Sequence, residues 1–136
     1  MAKEPINVIK IIRERFEEEG NPAIVPMQNG GHFIATLNDN GIKVSNLGNQ
    51  PFLPWSVFDN TLILLTANRG RALRGDAMNF KLGEEGLPLD SVEGHVAHYV
   101  YGKQLEDSVF RRITPIAGIL IWAGICKARP GELILR

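Results

Sequence analysis

The sequence predicts an α+β fold: an N-terminal helix and a small antiparallel β-hairpin or sheet, followed by three helices and a closing β-hairpin. Three observations predict it. Between Pro5 and Glu19 the apolar residues Ile6, Val8, Ile9, Ile12 and Phe16 fall at the spacing of a helix with one apolar face. Short extended segments flank the turn sequence Asn38-Asp39-Asn40-Gly41, as in a hairpin. From Arg111 to Leu135 a nearly all-apolar helix pattern runs into the turn Arg129-Pro130-Gly131.

The first helix ends at Gly20-Asn21-Pro22, since glycine and proline both interrupt the backbone pattern. Its last turn carries Glu17-Glu18-Glu19, where the helix dipole disfavours negative charge, so these are expected to be solvated. Strands are expected at Ala23 to Val25, His32 to Leu37 and Gly41 to Asn46, the last two paired. A second helix begins near Pro54 and runs to about Ala67, with Trp55, Phe58, Leu62 and Leu65 at helical spacing. Arg69 to Gly86 is rich in glycine and charge, lacks a period, and reads as a surface excursion.

Asp90 followed three positions on by Glu93 has the form of a capping box, and Val92, Val96, Ala97, Val100 and Tyr101 mark the buried side of a third helix ending at Gly102. The fourth helix is expected to start with Thr114 as cap and Pro115 as its first residue, and to end at Gly124. Tyr99 and Trp55 fall within helical apolar patterns and are assigned to packing. The 136 residues suit one domain, with residues 1–50 forming the helix-and-hairpin part and residues 54–136 the three helices and final hairpin.

Fifteen basic residues balance fifteen acidic ones, so no bulk charge draws the chain to nucleic acid or membrane, and any such role must rest on local clusters. A single cysteine, Cys126, excludes an internal disulfide. The apolar run Ile116 to Ile125 is too short to cross a bilayer, and the start of the chain lacks a long apolar stretch. The expectation is a cytoplasmic protein without a membrane partner.

The segment Ile119-Leu120-Ile121-Trp122-Ala123-Gly124-Ile125, followed by Arg129-Pro130-Gly131-Glu132-Leu133, resembles the end of a winged helix-turn-helix domain. The resemblance covers about the last eighty residues and implies that the helix ending at Tyr101 is the second of three, Pro115 to Ala123 the third, and Lys127 to Gly131 the wing. It further implies a DNA-binding module in which Lys127 and Arg129 face phosphate. Ile116 to Ala123 lacks the polar side chains that major-groove readout needs, so base recognition through this helix is not expected. Contacts are expected instead from Arg69, Arg71 and Arg74 in the basic loop, from Arg111 and Arg112 before the helix, and from Lys127 and Arg129.

Two other classes stay open. A protein-interaction or homo-oligomeric module would use the apolar fourth helix, covered in part by a partner or a second copy. A metal-dependent hydrolase or nuclease would centre on His95 and His98, three apart on one helix, with carboxylates from Asp90, Glu93, Glu106 and Asp107. No HExxH, paired-cysteine or nucleophile-elbow sequence supports it, so no catalytic residue, metal or cofactor is assigned.

Overall fold

The computed structural model describes residues 6–136, and the proposed helix start at Pro5 lies outside them. The α+β class holds. In chain order the elements are α1 (Val8–Glu19), β1 (Ala23–Pro26), β2 (His32–Asn38), β3 (Gly41–Val44), β4 (Phe52–Pro54), α2 (Trp55–Ala67), β5 (Arg71–Leu73), α3 (Val92–Tyr99), α4 (Ile113–Trp122), β6 (Cys126–Arg129) and β7 (Glu132–Leu135).

Asn7 caps α1 by accepting from the Lys10 amide at 3.1 Å, and Val8, Ile12 and Phe16 form its buried stripe. Of the glutamates at its end, Glu18 and Glu19 pair with Arg15 at 3.3 and 2.9 Å. The chain then builds an antiparallel meander in the order β1-β2-β3-β4. The pairing Asn38↔Gly41 leaves Asp39 and Asn40 as a two-residue turn. Gly41 sits where a Cβ would collide with the Leu53 carbonyl of the neighbouring pairing, a close approach only glycine permits. β4 was not expected from the sequence; it closes this sheet and leads directly into α2.

In the second half three helices precede the last hairpin, and one further strand joins that hairpin. β5 pairs with β7, and β7 with β6, giving a three-stranded antiparallel sheet in the order β5-β7-β6. The stretch after Arg69 is therefore not simply a surface excursion. It contributes β5 and then folds over α3, where Leu82 and Leu87 bury with Ala97 and Val109 in a small core of their own. Ser91, not Asp90, caps α3: its hydroxyl accepts from the Gly94 amide at 3.0 Å and donates to the Pro88 carbonyl at 2.7 Å. α4 starts at Ile113 without a side-chain cap, so Pro115 is its third residue, still within the turn whose N–H groups lack helical partners. Its end is as expected: Gly124, at φ +78°, donates to the Ile121 carbonyl and Ile125 to that of Leu120, both at 3.0 Å.

The two parts share one core. Residues of α1, the meander, α2, α4 and the last hairpin pack into a single buried cluster. α4 lies against β1, and a Cβ on Gly118 would stand 2.8 Å from the ring of Phe33, which shows how closely helix and sheet approach. The helix that the sequence marks as wholly apolar is thus covered by the N-terminal sheet of its own chain. Its core-facing residues Ile113, Ile116, Ala117, Ile119 and Leu120 are all buried, and a second copy or protein partner has no access to them.

Candidate nucleic-acid interface

The seven basic residues marked in the sequence divide into three groups. Arg69, Arg71, Lys127 and Arg129 line one hollow of about 220 Å³ on the outer face of the β5-β7-β6 sheet, with Gly70, Ile134 and Leu135. Strand register brings them there. Arg71 and Lys127 are both paired opposite Ile134, so the three stand in one row across the sheet, and Arg129 lies two residues along on the same face. Arg69 arrives by a different route, held at φ +60° in the turn that ends α2. One carboxylate shares the face: Glu132 accepts from Arg71 at 2.9 Å, and that bond and charge raise the arginine's pKa and hold the carboxyl below its ordinary value. Among the described residues that line or border the hollow, four cations therefore stand beside the Glu132 carboxylate.

Arg74 and Arg111 form the second group. They line another hollow, of about 190 Å³, with Thr114 of α4 and the β1–β2 turn residues Met27, Gln28 and Asn29. Arg74 is half-buried, and burial and then the nearby charge of Arg111 push its pKa below the ordinary arginine value.

Arg112 does not belong to any such surface, which corrects its assignment to phosphate contact. It is 6% exposed, donates from Nη2 to Gln50 Oε1 at 2.7 Å and from Nη1 to the Phe110 carbonyl at 3.2 Å, and stacks 3.7 Å from the Tyr101 ring centroid and 4.8 Å from that of Phe110. No ion pair joins Arg111 or Arg112 to Glu106 or Asp107. Instead Glu93, 2% exposed, reaches from α3 and accepts from the Arg112 amide at 2.6 Å. It serves as the buried acceptor at the start of α4, a role its position in α3 gave no sign of.

The residues weighed for an enzymatic site are placed as follows. His95 and His98 flank Tyr99, with ring centroids 4.5 and 4.8 Å from it, and His98 Nδ1 is engaged with the Lys103 carbonyl at 2.7 Å. Burial, then the neighbouring His98, lowers the pKa of His95. Among the described residues no group of three or more His, Cys, Asp or Glu side chains converges as a metal site would require. Asp107 is spent on the Gln104 amide, and Ser91 on its helix. Cys126 is fully buried, and burial pushes its thiol up to about 12, far from a reactive thiolate.

Tyr99, assigned to packing from its spacing, is 62% exposed. Trp55 is partly buried as expected, with its indole N–H donating to the Asp39 carbonyl at 3.0 Å. No helix among the described residues is long and apolar enough to cross a membrane. Comparisons with family models, with curated proteins and with solved structures return no match for this chain.

Proposed function

We propose that this chain binds nucleic acid through the phosphate backbone, using the outer face of the β5-β7-β6 sheet. One observation carries the reading: Arg69, Arg71, Lys127 and Arg129, drawn from stretches far apart in the sequence, line a single hollow beside one carboxylate. Core packing does not require this gathering, because Arg71, Lys127 and Arg129 lie on the face opposite the buried Ala72 and Leu133, and Arg69 is exposed. A cluster of exposed cations neutralises phosphates and releases their counterions, and this supplies affinity with little sequence information. The burial of α4 agrees, since the helix that would otherwise read bases is occupied by the N-terminal sheet.

The test is fluorescence anisotropy of labelled duplex DNA over a salt series. Binding weakens with salt, and the double variant Lys127→Ala/Arg129→Ala loses about two units from the slope of log affinity against log salt. Absence of binding at low salt, or an unchanged slope in the variant, overturns the proposal.

A further inference from the structure

We infer that the hollow between Arg74 and Arg111 is a separate binding site for a phosphate group. This goes beyond backbone contact by the outer sheet face and does not depend on it, for the two hollows have no lining residue in common.

The guanidinium of Arg74 supplies the main observation. Its Nε and Nη2 are both shut off from solvent and have no acceptor among the described residues. Those two nitrogens form one edge of the guanidinium, the edge that grips two oxygens of a single oxyanion side by side. A buried, charged donor left without an acceptor is costly, and two such donors on one edge define where an acceptor belongs.

The surroundings favour an anion further. Arg111 is exposed and close enough for its charge to act on Arg74, and two neighbouring guanidinium groups repel until a negative charge separates them. Among the described residues no Asp or Glu lines the hollow. Of the two carboxylates near enough to feel the charge of Arg111, Asp76 accepts from the Met78 and Asn79 amides, and Glu93 accepts from the Arg112 amide through Oε1 while its buried Oε2 is without a partner among the described residues. Neither forms an ion pair with Arg74 or Arg111 among the described residues.

The remaining polar lining can donate as well. Thr114 brings a hydroxyl on the first turn of α4, where the helix dipole also favours negative charge, and Gln28 and Asn29 carry side-chain amides. A carboxylate would satisfy the Arg74 edge alone. A phosphate, with several acceptor oxygens set tetrahedrally, can take that edge together with Arg111 and Thr114.

The experiment titrates the isotope-labelled protein with inorganic phosphate and follows the Arg74 Nε–H resonance with the backbone amides of Gln28, Asn29 and Thr114. Phosphate shifts these signals; Arg74→Gln and Arg111→Gln each weaken the effect about tenfold or more, while Lys127→Ala/Arg129→Ala leaves it unchanged. Parallel titrations use one DNA duplex with and without a 5′-phosphate. Shifts caused only by the phosphorylated duplex assign the site to a terminal phosphate, and shifts caused by both assign it to the backbone. An Arg74 Nε–H that does not respond to millimolar phosphate, or responds equally in Arg111→Gln, overturns the inference. Arg111 is exposed, so its variant remains informative if the one at Arg74 does not fold. Duplex binding weakened in the Lys127→Ala/Arg129→Ala variant with phosphate shifts intact supports both claims; phosphate shifts without duplex binding at low salt overturn the outer-face reading alone, and duplex binding without an Arg74 response to phosphate overturns this inference alone.

Discussion

Glu93 is where α3 and α4 are joined, and burial there favours its protonated form. Burial pushes its pKa up to about 7, against the opposing hydrogen bond from Arg112 and the charges of Arg112 and Arg111. The folded chain therefore holds this proton more tightly than the unfolded chain. The stabilisation is complete below the ordinary carboxyl range and is lost as pH rises through about 7. Such a shift corresponds to roughly 3 kcal/mol. His95 acts with the opposite sign, because its lowered pKa favours the neutral ring in the folded state and costs stability as pH falls. Urea unfolding from about pH 5 to about pH 8 isolates the glutamate: wild-type stability falls by about 2–3 kcal/mol relative to Glu93→Gln, which keeps an acceptor oxygen but carries no charge. Parallel profiles for the two proteins would refute the assignment.

The sequence marked Glu93 as half of a capping box because spacing reports only what lies on the same helix. Its partner is nineteen positions away. Arg111 and Arg112 show the same limit in another form. They were grouped as two cations, yet the backbone ahead of α4 leaves the first exposed and sends the second inward onto Tyr101.

Elements with a strong period of their own were legible and short ones were not. α1, α2 and the β2–β3 hairpin appear close to their expected bounds because their apolar residues repeat over two turns or several alternations. β4 and β5 have three residues each, too few for alternation to register, and exist because β3 and β7 supply partners. α4 was recognisable as buried, but its covering was not, since the sheet that covers it begins ninety residues earlier. Gly118 is the contact that made this docking close, and it tests it. Gly118→Ala places a methyl against the buried Phe33 ring, so the variant unfolds at lower urea with a loss of about 1–3 kcal/mol despite alanine's better helix propensity. A neutral or stabilising result would show that α4 and β2 do not pack in this way.

At the scale of the molecule, zero net charge concealed a local excess. Arg69 and Arg71 sit nearly sixty positions from Lys127 and Arg129, and only the β5–β7–β6 register sets them on one face. The sequence offered the right residue types but not their sorting into an outer sheet face, a hollow at Arg74 and Arg111, and a core arginine. The fold also decides which surface is free: the core-facing side of the fourth helix is buried against the meander and β6, and one face of the β5-β7-β6 sheet is left outward. The most direct measurement is a titration of isotope-labelled protein with a short DNA duplex at low salt, followed by amide chemical shifts. Phosphate contact by the outer sheet face predicts shifts over residues 69–73 and 126–134 with none through residues 116–120. Shifts centred on α4, or none anywhere, would contradict it.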